Sequence, residues 1–297
     1  MLGWQSRCRY SNGTNNQTWT GNTLVLGGTG ACVSAISTAT NGFNVDTFVG
    51  TTRLRLGNVI VDGGAGTSRF ASSSTASGNG TDIAGSLTIN SGSEFRNISA
   101  GSAVFVGGSV VNNGTLSTLT TLQLALCAGF TCSATPTAQT ISGSGTFRNL
   151  LVAPTASFTN VVFNNSNTAG VTLANNYSIS GTMDLVAGIV NTGANTLTHN
   201  GAASRTAGFV VGTLSRSYTA TGAYTYHVGD NIGTAEYSPL TATITTLTTN
   251  PSSLSVNVTD GDLPGAGPLQ SASRYWDLTE TGDLMAWGER AASRPHG

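Results

Sequence analysis

Asp62, Asp82 and Arg69 are the residues whose types best suit a reaction. Two carboxylates with a cation beside them are what cleavage of a glycosidic bond next to a sugar carboxylate requires, one as acid and one as base or nucleophile. On neighbouring turns of a repeating fold, Asp62 and Asp82 would stack near Arg69. His227 and Asp230, three apart in YHVGD with serines nearby, outline a Ser-His-Asp relay. No G-x-S-x-G elbow exposes a nucleophile, so a turn histidine at a strand end is the plainer reading. Asp260-Gly261-Asp262, with Asn257 close by, is an oxygen cluster of the kind calcium prefers, although the further ligands of an EF-hand are missing. No other cofactor is expected. Cys127 and Cys132 form a C-x4-C pair in LCAGFTCS, close enough for a disulfide if that loop folds back. Cys8 and Cys32 are too widely spaced to complete a four-cysteine zinc site. The GGTG at 27 to 30 is a turn, because no helix follows it.

Composition narrows the field further. Lysine is absent, which removes a phosphate-loop lysine and a Schiff-base lysine. Charged residues are only 8% of the chain and the formal net charge is -1, so there is no electrostatic footprint for nucleic acid or an anionic membrane surface. Gly, Ser, Thr and Asn make up roughly half of the sequence. Disorder does not follow, because β-branched and aromatic residues are spread throughout. No apolar run is long enough for a transmembrane helix, so membrane insertion is not expected. The N-terminal arginines lack the apolar segment of a signal peptide. The hydroxyl- and amide-rich surface nevertheless suits an extracellular or cell-surface setting, and the chain reads as a fragment of a longer exported protein.

These side chains must be positioned by strands, since the apolar period is 2 almost everywhere: Leu24 and Leu26, Leu87 and Ile89, Val104 and Val106, Val171 and Leu173, Met183 and Leu185. Turn formers such as Asn90-Ser91-Gly92 and Asn112-Asn113-Gly114 separate them. Short strands recurring along the chain cannot bury an apolar face singly, and stacking them does. The expected fold is all-β, a right-handed parallel β-helix over residues 20 to 203. A β-sandwich built from the same strands is the competing fold. From 204 to 284 the strands lengthen and read as a small antiparallel sandwich module. Residues 1 to 20 form an irregular N-terminal segment, and 285 to 297 do not continue the alternation.

Residues 139 to 198 carry the phrases QTISG, F-x-N-L-x-V (Phe147 to Val152), G-V-T-L (Gly170 to Leu173) and S-G-x-x-x-L-x-x-G-x-V-x-T-G-x-N-T-L (Ser180 to Leu197). With the later YHVGD, YSPL and RYW segments they resemble a repeat module of large bacterial surface and secreted adhesin-like proteins. His227 stands where that module has a proline. The resemblance implies a non-catalytic structural or adhesive segment of an exported protein, with surface glycans or other cell-surface proteins as partners. Two alternatives remain. One is a carbohydrate-active β-helix of the polysaccharide lyase or glycosidase kind, using Asp62, Asp82 and Arg69. The other is an ice-binding fold using ranks of threonine such as Thr118 and Thr120, Thr196 and Thr198, or Thr241, Thr243 and Thr245.

Overall fold

A computed structural model describes residues 23–27, 42–45, 48–49, 52–53, 55–62, 69–72, 81–97, 103–118, 121–125, 136–149, 157–158, 160–265 and 273–282. Among these residues every regular element is a strand, and no helix long and apolar enough to cross a membrane is present.

The strands visit three sheets in rotation. Arg55–Leu56 lies in sheet I, Asn58–Asp62 in sheet II and Arg69–Ser72 in sheet III; Thr81–Ile83, Leu87–Ile89 and Glu94–Asn97 repeat that order. So do Ala103–Val106, Val110–Asn112 and Thr115–Thr118, and then Thr121–Ala125, Gln139–Ser142 and Thr146–Asn149. Each strand pairs in parallel with the strands one circuit before and after it, so each circuit adds one rung to every sheet. Every pairing between described strands from Leu87 to His199 is parallel.

Exact register follows from the period of 2, because slipping one residue would turn each apolar face outward. In sheet II, Val59, Leu87, Val110, Ile141 and Leu173 stand in one row. In sheet I, Val106, Leu124, Phe163 and Leu185 do so, and in sheet III, Phe95, Leu116 and Phe147. Of these, Val110, Phe95 and Phe163 are buried with side chains from all three sheets in one core. Each such side chain contributes about 1.5–3 kcal/mol by leaving water.

The corners are held by small polar side chains. Asn58 Oδ1 accepts the backbone N–H of Ser86 (2.9 Å), Ser86 Oγ that of Ser109 (3.1 Å), and Ser109 Oγ that of Thr140 (3.0 Å). One circuit departs from this rule. Gly85 and Gly108 stack at the corner between sheets I and II through backbone bonds, and Gln139 occupies the next position in that row. Its buried Nε2 donates to the carbonyls of Val106 (2.8 Å) and Gly108 (2.7 Å), and its Oε1 accepts from Asn165 Nδ2 (2.8 Å). A side-chain amide thereby satisfies carbonyls that backbone N–H groups satisfy elsewhere in the stack.

Parallel pairing continues across residue 204. Ile189–His199 spans two sheet positions, with a register irregularity between Asn191 and Thr196, and Phe209–Tyr218 pairs with both of its halves in parallel. Sheet II therefore runs on through 204. Apart from the short pair Phe48–Val49 and Thr52–Arg53, the antiparallel pairings among the described residues lie beyond this point: Leu214 to Tyr218 meets Ser252–Asp260, which in turn pairs with Arg274–Thr281, and Val228–Asp230 meets Glu236–Tyr237. Gly222–Tyr226 and Leu240–Ile244 form a separate antiparallel pair.

Gly188 and Gly193 separate two effects that glycine can supply. Both have positive φ, +73° and +56°. A Cβ on Gly188 would lie 1.7 Å from the Asn165 carbonyl oxygen, whereas one on Gly193 would meet open space. Gly193→Ala should cost about 1–2 kcal/mol from conformation alone. Gly188→Ala should cost about 1–3 kcal/mol more through crowding, read as the difference between the two denaturation curves. Equal losses would show that the close approach of these rungs does not matter.

Candidate functional site

The chemistry-bearing side chains converge where the parallel stack passes into the antiparallel strands. Along Phe209–Tyr218 the strand period puts Leu214, Arg216 and Tyr218 on one face. Leu214 and Tyr218 are buried with Tyr224, Tyr226, Ala242, Ile244, Leu254 and Val256. Arg216 is thus a half-buried cation on a core-facing row.

Around it runs a chain of hydrogen bonds whose directions can be assigned. His199 is fully buried, and its Nε2 lies 3.0 Å from the Gly181 carbonyl, which can only accept. Nε2 therefore carries the proton, and Nδ1 accepts from the Tyr224 hydroxyl at 2.6 Å. Tyr226 donates to the Leu254 carbonyl at 3.0 Å, which leaves Tyr218 to donate to the Tyr226 oxygen at 3.1 Å. The Arg216 Nη1 donates to the Gly201 carbonyl at 2.7 Å, and its guanidinium sits 4.2 Å over the Tyr224 ring and 5.8 Å from that of Tyr218. Tyr224 and Tyr226 meet edge to face with centroids 4.9 Å apart.

Burial sets the protonation of this group. It holds His199 at about 4, opposed by the bond to Gly181 and assisted by the nearby Arg216 charge. It also pushes Tyr218, Tyr224 and Tyr226 upward. The phenols and the imidazole are therefore neutral near pH 7, and the positive charge of the cluster belongs to Arg216. Next to it opens a cavity of about 230 Å³, lined by Asn200, Arg216, Ser217, Tyr218 and the turn from Thr219 to Ala223. Asn200 Oδ1 accepts the Ser217 N–H at 2.9 Å, which fixes the amide at the cavity wall.

A second polar cluster ties the last strands together. Arg274 pairs with the buried Asp230 at 2.9 Å, with Glu236, and with Ser238 Oγ at 2.9 Å, while Trp276 Nε1 donates to the Ser238 carbonyl at 3.0 Å. His227 Nδ1 meets the Tyr237 hydroxyl at 2.7 Å, and the Arg205 guanidinium lies 3.5 Å over the Tyr237 ring.

These placements correct part of the reading from sequence. Asp62 ends a strand of sheet II, Asp82 lies on sheet I, and Arg69 is on a strand of sheet III in register with Gly42 and Glu94. Asp62 and Asp82 do not stack in one row, because the circuit between them ends on a different sheet. His227 and Asp230 are not joined as a relay, since Tyr237 takes the imidazole and Arg274 the carboxylate. Asp260 pairs across the hairpin with Arg274, and Asp262 is exposed beyond it. No group of three or more His, Cys, Asp or Glu that could hold a metal ion occurs among the described residues. Cys127, Cys132, Cys8 and Cys32 lie outside the described residues.

The register row on sheet I that alternates with Val106, Leu124, Phe163 and Leu185 contains Asp82, Phe105, Gln123, Val162, Asp184 and Ser204, a mixed set with no threonine. Sequence reasoning passed over Arg216, His199 and the Tyr218, Tyr224 and Tyr226 group. The legible signal was an arginine at an inward position of the alternation LSRSY, followed by the alternating tyrosines of AYTY.

Acid should loosen this junction first. A histidine held at about 4 in the fold and near 6.5 when unfolded is protonated earlier in the unfolded chain. Stability is therefore complete above about pH 6.5 and falls on the way down to about pH 4, by at most about 1.4 kcal/mol per pH unit for this group. His227, lowered mainly by burial and also by Arg205, acts in the same direction. Urea denaturation at pH 7 and pH 4.5 should show a loss of about 2–3 kcal/mol from the His199 share. His199→Gln, which can keep a donor toward Gly181, should show a clearly smaller one. An unchanged pH slope in that variant would contradict the assignment.

In comparisons with known proteins the chain matches no family model, no curated protein and no solved structure.

Proposed function

We propose that the chain is a non-catalytic structural or adhesive segment of an exported bacterial surface protein. In this reading it is a right-handed parallel β-solenoid, a stalk, continued by a small antiparallel β-sandwich that presents surface to glycans or to other cell-surface proteins. The observation that carries the reading is the rotation of successive strands through three sheets with parallel pairing from circuit to circuit. Such an order needs only stacking to make a stiff rod. The low charge and the phrases from Gln139 to Leu197 that resemble surface repeat modules support the exported setting.

The carbohydrate-active alternative needs two carboxylates about 5–9.5 Å apart on one face, and Asp62 and Asp82 occupy different sheets. The ice-binding alternative needs one aligned threonine pair per circuit, and in sheet II Thr196 and Thr198 stand beside Thr213 and Ser215 on one side while Thr198 stands beside Ser178 on the other, so the pair is not repeated.

Purified protein incubated with pectic, alginate and glucan polymers should release neither reducing ends nor unsaturated uronates. Activity in the parent that disappears in the Asp62→Ala, Asp82→Ala double variant would replace the structural reading with an enzymatic one. Displayed on a non-adherent bacterium through an unrelated anchor, the segment should increase retention on glycan-coated surfaces. Retention equal to that of the empty anchor would remove the adhesive part of the proposal.

A further inference from the structure

The geometry points to the cavity beside Arg216 as a binding site for a small carboxylate-bearing ligand, the uronate end of an acidic saccharide. The inference deepens the adhesive reading and rests on it only for its biological setting; a stalk that binds nothing here would still be a stalk.

Three observations converge. First, a cation stands where the strand pattern calls for an apolar residue, between Leu214 and Tyr218 and opposite Leu254. Burying part of a guanidinium is costly unless an anion or a set of acceptors compensates it. The groups that meet it are neutral: the carbonyls of Gly201 at 2.7 Å and His199 at 3.5 Å, both reached by the same Nη1, and the Tyr224 side chain. Among the described residues no carboxylate forms an ion pair with Arg216, whereas Arg274 in the neighbouring cluster has two. Second, this cation lines an open cavity of about 230 Å³, room for one sugar unit. Third, the remaining wall is made of hydrogen-bonding groups on fixed backbone: Asn200, Ser217 and the Thr219–Ala223 turn.

A guanidinium matches a carboxylate with two parallel hydrogen bonds, and here Tyr224 beneath it holds its plane. Ser217, Thr219, Thr221 and the Asn200 amide supply the donors and acceptors that ring hydroxyls need. A neutral sugar would find the same rim without the ion pair, so discrimination should rest on the acid group.

The test uses the full chain with free galacturonate and glucuronate as probes, galactose and glucose as neutral controls, by saturation-transfer NMR and titration calorimetry. Saturable binding of a uronate is expected, weakened about tenfold or more for the neutral sugars. Arg216→Gln should abolish it. That change also removes packing on Tyr224, so Thr219→Glu is the second variant: it places a carboxylate at the exposed cavity rim, leaves the core alone, and should also abolish binding. Asp184→Asn, on sheet I, should bind like the parent. Failure of both uronates to bind, equal binding of the neutral sugars, or binding that survives Thr219→Glu would overturn the inference. Each of these outcomes would leave the stalk reading untouched, because that reading is tested by hydrolysis and display.

Discussion

Each circuit of this chain depends on the backbone groups that its corners leave behind. A parallel strand of three to five residues satisfies its own ladder, but the N–H entering the next strand must find an acceptor in the rung before it. Asn58, Ser86 and Ser109 supply that acceptor in succession. Asn160 does so for Thr182, Asn176 for Thr196, Thr192 for Thr213 and Asn200 for Ser217. Net hydrogen bonds of this kind contribute only about 0.5–1.5 kcal/mol each, yet leaving a buried N–H unmet costs about 1–3 kcal/mol. The requirement therefore fixes register more than it adds stability. It also accounts for the many short oxygen-bearing side chains in the composition, since these fit between stacked corners.

Where parallel stacking gives way to antiparallel pairing, aromatic and charged groups collect among the described residues. Two arginines interrupt core rows here: Arg205 follows Leu185 in sheet I, and Arg216 stands between Leu214 and Tyr218 along the strand that leaves the stack. Arg205 is spent on carbonyls of its own turn, Gly208 at 2.8 Å and Ala207 at 3.1 Å, and on the ring of Tyr237. Arg216 closes the corner above His199 and Gly201 in the same manner but keeps one side toward a cavity. The buried tyrosine hydroxyls next to it settle their bonds with one another, with His199 and with Leu254.

Much of this was legible beforehand. The alternation at Leu87 and Ile89, Val104 and Val106, and Val171 and Leu173 placed the inward rows of sheets I and II correctly, since a period of 2 with one buried face leaves little freedom. Sheet III was harder to read. Phe95, Leu116 and Phe147 are single inward residues between polar neighbours, too few per strand for the alternation to announce itself. The carboxylate pair was misread for a related reason: spacing along the chain says which circuit a residue is in, but not which of three sheets. Gly222–Tyr226 and Val228–Asp230 follow one another in the chain with a single residue between them, yet join different sheets, which local alternation does not reveal. The inward arginine of LSRSY was legible, but its assembly with His199 was not, because the cluster unites separate segments whose proximity depends on the change from parallel to antiparallel pairing.

Gln139 gives the stack a property its uniform corners lack. Thr121–Ala125 is aligned in sheet I by Ala103–Val106 on one side and Asn160–Asn164 on the other, and Gln139 aligns its own strand by reaching back to Val106 and Gly108. Register on both sides of the connection from Ala125 to Gln139 is thus set without reference to what lies between. Lengthening a connection whose ends are already fixed costs little, since closure entropy grows only with the logarithm of its length. The stack accordingly carries a socket at this rung, a place where a longer or wholly different loop can be accommodated over evolutionary time while the neighbouring circuits keep their alignment.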